Sequence, residues 1–176
     1  MVKSVYKLAG CSAMLVLSVN LSYAQQVAPS CTDNSRACMI AAATAYLDSI
    51  IAHDASNVPF APDIRRTEQG HVTAQGESQI RQLQKMQPDM AGRANTRFVV
   101  DEQSHTVVAY TLLKVTGAKA DPNRKTFTDG APPSQTKPST VHLAERFKVE
   151  KGLITEIEAI FNIETGGTDA PSGWPD

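Results

Sequence analysis

The stretch HLAERFKVEKGLITEIEAIF, residues 142–161, restricts the possible folds more than any other. Apolar and polar residues alternate on either side of Lys151-Gly152, the pattern of two strands joined by a tight turn. A hairpin alone is not stable in water and needs further strands or a helix against its apolar face. Both are at hand. TRFVVDEQ (96–103) and HTVVAYTLLKV (105–115) are rich in Val, Thr and aromatic residues and read as a second hairpin, turning near Gln103-Ser104. Ahead of them, residues 35–53 read as a helix. Met39, Ala42, Ala43, Tyr46, Leu47, Ile50 and Ile51 recur at three- and four-residue steps, and Asp33, Asn34 or Ser35 can cap the start.

Between helix and hairpins the period changes. DIRRTEQGHVTA (63–74) suits a short strand and a bend at Gly70, and 76–87, with Ile80, Leu83 and Met86, a short second helix that Pro88 ends. A helix, a short strand, a short helix and an antiparallel meander make an α+β domain. Residues 117–140, with four prolines, form a loop insertion that is either a lid or a flexible segment, and 166–176 a loose tail.

The first 24 residues read as a secretory leader. Lys3 and Lys7 precede the apolar run AMLVLSV (13–19), and Ser22-Tyr23-Ala24 offers a small-spacer-small cleavage site before Gln25. LAGC (8–11) also resembles a lipoprotein signal, but its apolar core follows Cys11 instead of preceding it. Cleavage after Ala24 leaves about 150 residues, enough for one domain over 25–165, in the periplasm or outside the cell. No stretch approaches the ~20 apolar residues of a membrane span. The full chain has a formal charge of −1 and no dense basic stripe, which argues against nucleic acid as a partner. Cys31 and Cys38, an even pair in an exported chain, suggest a disulfide; the alternative, half of a metal site, lacks a usual zinc spacing.

Strand alternation sorts the glutamates. Leu143, Glu145, Phe147 and Val149 share one face, with His142, Ala144, Arg146 and Lys148 on the other. In the next strand Ile154, Glu156, Glu158 and Ile160 are expected on one face, opposite Thr155, Ile157, Ala159 and Phe161. A carboxylate among apolar neighbours loses hydration and titrates upward unless a cation compensates, and so becomes a general acid or base. Cross-strand pairing with Arg or Lys is the structural alternative. Glu158, Glu145 and His142 are the candidate proton carriers. Arg66 and Arg97 are candidates to hold an oxyanion, and Glu68 and Tyr46 complete the substrate-binding set. His53, His71 and His105 read as a helix-end and two turn residues. HExxH, GxSxG, CxxC and phosphate-loop signatures are absent from the sequence, so no metal or cofactor is expected.

Ala52-His53-Asp54-Ala55-Ser56-Asn57-Val58-Pro59 after the helix, then Ala61-Pro62-Asp63-Ile64-Arg65-Arg66-Thr67-Glu68-Gln69-Gly70, and later Arg146-Phe147-Lys148-Val149 with Gly152-Leu153-Ile154-Thr155-Glu156-Ile157-Glu158, resemble one family. This is the SnoaL-like branch of the nuclear transport factor 2-like superfamily, and within it a group of exported bacterial and fungal proteins. The resemblance covers about residues 35–164. It implies a curved antiparallel sheet wrapped around N-terminal helices as a cone with a pocket, and dimers through the outer sheet face. It also implies cofactor-free isomerase, cyclase, dehydratase or hydrolase chemistry, or ligand binding alone. The Asp–His pair of the catalytic members has no clean match here. Three readings stay open: an exported enzyme moving protons on a small organic molecule, a binder using the same pocket, and an interaction protein whose glutamates line a homodimer face.

Overall fold

The computed structural model describes residues 31–116 and 138–165. The leader, most of the proline-rich insertion and the tail lie outside the described residues. The elements are α1 (Arg36–Ala52), β1 (Phe60–Glu68), β2 (His71–Gln75), α2 (Glu77–Lys85), β3 (Met90–Asp101), β4 (Thr106–Val115), β5 (Ser139–Glu150) and β6 (Leu153–Thr165). Among the described residues no helix is long and apolar enough to cross a membrane.

The strands form one sheet in the order β2-β1-β6-β5-β4-β3. The fold is α+β, as expected, with helices gathered on the inner face of a six-stranded sheet. One feature departs from a simple meander: β1 lies parallel to β6, so the sheet is mixed. Residues 63–74, read as one strand and a bend, instead form a full β1–β2 hairpin. Its turn is Gln69-Gly70, both at positive φ (49° and 82°). Pro62 is tolerated inside β1 because the β1–β6 register is interrupted between Phe60 and Arg65, so its missing N–H costs no ladder bond.

Ser35 caps α1, its Oγ accepting from the Cys38 N–H at 3.3 Å, and the helix stops where His53 turns left-handed at φ 54°. Its stripe is buried as the periodicity predicts: Met39, Ala42, Ala43, Tyr46, Leu47 and Ile50 are 4% exposed or less. α1 touches β3, β4, β5 and β6, so the sheet bends around it. Register shifts in β1, β3 and β5–β6 supply the curvature.

α2 is fastened to the loop after α1 by Arg81. Its guanidinium binds Glu77 Oε1, donates to the Ala55 and Val58 carbonyls, and lies 5.1 Å from the centre of the Phe60 ring. The β5–β6 turn, Lys151-Gly152, sits against residues 31–34, just ahead of α1. The Lys151 N–H donates to Asn34 Oδ1 at 2.5 Å, and a Cβ at Gly152 would collide with the Cys31 carbonyl. Gly152 at φ 79° therefore meets two demands that only glycine satisfies together.

Candidate functional site

The inner face of the sheet can be read as cross-strand rows. Phe98, Ala109, Glu145, Ala159 and Glu68 are successive partners from β3 to β1. The neighbouring row runs Val107, Phe147, Ile157, Arg66 and Ala74. Two carboxylates and one arginine thus stand in a layer otherwise built of apolar residues, with small alanines on either side of Glu145. Above them Tyr46 projects from the buried stripe of α1, its ring set edge-on to Phe147 (5.3 Å) and Phe60 (6.1 Å).

Arg66 is the hub, only 6% exposed. Its Nε donates to the Tyr46 hydroxyl at 2.9 Å. Its Nη1 donates to Glu68 Oε2 at 2.6 Å and to Thr73 Oγ1 at 2.8 Å. Its Nη2 lies 3.7 Å from Glu145 Oε1, close enough for attraction but too far for a hydrogen bond. Four elements, α1, β1, β2 and β5, converge on one guanidinium. Burial works against its charge, but the Tyr46 oxygen and the Glu145 and Glu68 carboxylates outweigh burial and hold it cationic.

Glu145 is fully buried, and neither of its oxygens has a hydrogen-bond partner among the described residues. Burial pushes its carboxyl up to about 7; Arg66 and the nearby Tyr46 hydroxyl pull the other way, and Glu68 adds to the rise. Tyr46 is raised too, first by burial, with Arg66 opposing, so it stays a neutral phenol. Its oxygen already accepts from Arg66, which leaves its own proton to donate. The set therefore contains a carboxyl poised near neutrality, a cation and a phenol donor. Such a set can take a proton and stabilise negative charge on oxygen without a cofactor.

Four of the sequence-derived candidates, Glu145, Arg66, Glu68 and Tyr46, meet in this cluster. Three do not. Glu158 is the main correction. The β5–β6 register shifts next to Val149, so that Val149 faces Ile154 while Lys148 faces Glu156, and Thr155 is the extra residue. This bulge puts Ile154 on the same face as Ile157 and Ala159, and sends Glu156, Glu158 and Ile160 outward. There Arg146 binds Glu158 Oε2 at 3.1 Å and Glu156 Oε2 at 2.8 Å. His142 also faces outward, half-exposed and 3.2 Å from Glu164 Oε2. Arg97 belongs to the outer row Arg97, Tyr110, Ala144 and Ile160. None of the three shares a face with Glu145.

Two members of the site are not evident from local sequence pattern. Thr73 is the extra residue of β2 at the shift facing Arg66 and Thr67, which alternation does not reveal. Gln84 is 0% exposed, one helical step (i+4) from Ile80, so a polar residue on the apolar stripe of α2 was its signal.

At the other end of α1, Cys31, Asp33 and Cys38 place their ligand atoms within 4.8 Å of one another, and the two thiols are not joined in this structure. Asp33 already accepts from the Ser35 N–H at 3.0 Å.

A curved α+β sheet wrapped around α1 defines the class, a cystatin-like fold. The chain belongs to the family described as a domain of unknown function (DUF8021), which matches residues 32–161. No curated protein matches it. Among solved structures it is similar to SalBIII, an epoxide hydrolase/cyclase-like enzyme of pyran ring formation in the polyether salinomycin. The TM-score is 0.58 at 11% identity, over 75% of this chain and 98% of that one. It is also similar to a putative polyketide cyclase from Silicibacter sp. TM1040 (TM-score 0.51, 14% identity, 70% and 88% covered). A third is a protein of unknown function with a cystatin-like fold from Methylobium petroleophilum PM1 (TM-score 0.51, 18% identity, 81% and 93% covered). At these identities the likeness concerns the fold.

Proposed function

We propose that this protein is a small-molecule pocket protein whose interior cluster transfers protons without a cofactor, in an isomerisation, dehydration or related lyase reaction. The observation that carries the reading is Glu145: buried, lifted toward neutrality, flanked by two alanines and facing Arg66 and Tyr46. In its charged form Glu145 removes a proton from carbon next to a carbonyl. Arg66 N–H and Tyr46 O–H hold the enolate oxygen, and Glu145 returns the proton at a second carbon or delivers it to a leaving hydroxyl. Glu68 and Thr73 fix the guanidinium from behind. They also include the least buried atoms of the cluster, so the ligand approaches along the β1–β2 hairpin, which has to move to admit it. An epoxide hydrolase/cyclase-like enzyme and a putative polyketide cyclase on the same fold support a pocket reading; those activities belong to those proteins.

Solvent deuterium incorporation into a panel of neutral cyclic ketones and enones, followed by NMR, tests this. Wild type and Glu158→Gln are expected to exchange a panel member at equal rates, and Glu145→Gln to be slower by about 10²-fold or more. Equal rates for wild type and Glu145→Gln would remove the catalytic reading and leave a binder.

The protein is further proposed to be exported, cut after Ala24 and closed by a Cys31–Cys38 disulfide that ties the start of the chain to α1. The intact mass of the exported protein checks both. A chain starting at Gln25 and lighter by two hydrogens is expected; an uncut chain in which Cys31 and Cys38 are both free thiols contradicts it. The exposed outer-face residues Val99, Tyr110 and Ile160 fit a homodimer through that face.

A further inference from the structure

Gln84 has no part in the proton-transfer scheme, yet it is the second buried group in the same place whose hydrogen bonds are unmade. Both its amide nitrogen and its amide oxygen are buried without a partner among the described residues, as are both oxygens of Glu145. The two side chains flank one point: Gln84 lies beside the Tyr46 hydroxyl without completing a hydrogen bond to it, and Glu145 stands near the same hydroxyl, also unbonded. A buried polar atom left unpaired keeps the cost of its lost hydration with nothing to offset it, and native proteins carry few of them. Four such atoms around one phenol are a concentration that folding alone does not explain. Gln84 is also held firmly: it lies one turn beyond Arg81, which anchors α2 to the Ala55 and Val58 carbonyls, and Ile80 beside it is fully buried. A methionine or leucine at this position would fill the core without the desolvation.

We propose that Gln84 is a ligand-recognition residue of this interior site, reading a neutral small molecule that carries a hydrogen-bond donor and an acceptor side by side, as a lactam does. The inference rests on the cluster being a ligand site and adds the chemical class of the ligand. A primary carboxamide with both atoms free pairs with a cis amide through two parallel hydrogen bonds, N–H to carbonyl in each direction. A group offering only an acceptor leaves the Gln84 carbonyl unpaired, and that asymmetry creates selectivity. The charge balance points to a neutral ligand. Arg66, the cation of the cluster, is already bound to Glu68 and faces Glu145, so a buried anion would meet two carboxylates around one positive charge.

The test uses full-length protein and the Gln84 side-chain NH2 signals in a ¹⁵N correlation spectrum, assigned by their loss in Gln84→Met. The probes are δ-valerolactam, its N-methyl derivative, cyclohexanone and cyclohexanecarboxylate. δ-Valerolactam is expected to shift the Gln84 NH2 signals saturably and to bind about tenfold or more tightly than the other three. Gln84→Met is expected to fold, melt no lower than wild type and lose that preference. The proposal is overturned by lactam binding of equal strength in Gln84→Met, by preference for the carboxylate, or by Gln84 signals that no probe moves. Glu145→Gln separates the two readings. Lactam binding retained in a variant as active as wild type in deuterium exchange would sink the proton-transfer reading and leave this one standing. Exchange lost in Glu145→Gln with no lactam preference in wild type would do the reverse.

Discussion

Replacing Arg66 by methionine is expected to lower the folding free energy by about 3–5 kcal/mol near neutral pH, the range for removing one partner of a buried charge cluster. The cost comes from what is left behind. Glu68 loses its 2.6 Å contact while its side chain is only 11% exposed, the Tyr46 hydroxyl loses a donor, and Glu145 loses the one cation opposing its burial. Methionine matches the arginine stem in length, so lost packing contributes little. Adding Glu68→Met should recover part of the loss, because an apolar pair replaces an orphaned carboxylate. Urea unfolding of the two variants measures both terms. A loss below about 1 kcal/mol for the single variant, the range of surface pairs, would mean that water reaches the guanidinium freely and the cluster is not interior.

The second large effect is on pH dependence. Glu145 ordinarily titrates at 4.5 but is pushed up to about 7 when folded. The folded protein then holds this proton more tightly than the unfolded chain, so stability is greatest below 4.5. It falls as the pH rises from there toward 7, and the full cost is present above 7. At about 1.4 kcal/mol per pH unit, the swing is about 3 kcal/mol. Glutamine mimics the protonated acid in shape and cannot ionise. Glu145→Gln should therefore match wild type near pH 4 and exceed it by about 3 kcal/mol at pH 8. Subtracting the two stability curves cancels every other titrating group. A flat difference between pH 4 and 8 would place the Glu145 carboxylate in a compensated setting.

The sequence makes some of this legible and hides the rest for definable reasons. The α1 stripe and the face of β5 follow from strict periods, and those periods lead directly to Tyr46 and Glu145. The Lys151-Gly152 turn is equally local, and both residues take positive φ there. Glu158 was misplaced because alternation carries across a strand only while the register holds, and one extra residue at Thr155 reverses every face beyond it. The parallel pairing of β1 with β6 joins segments some ninety residues apart, as in Thr67 beside Glu158, and no local pattern encodes it. That pairing brings Arg66 over Glu145, so the site itself is a product of topology. Gln84 was legible only as an anomaly, a polar residue where the α2 stripe calls for an apolar one.

The proposed chemistry depends on a single ionisable group kept out of water at the centre of the sheet. Following the Glu145 side-chain carboxyl carbon by ¹³C NMR across pH 3–9, with Glu145→Gln to assign it, observes that group directly. A midpoint near 7 is expected. A midpoint at or below the ordinary 4.5 would show a hydrated or fully paired carboxylate, and the interior proton site would not exist.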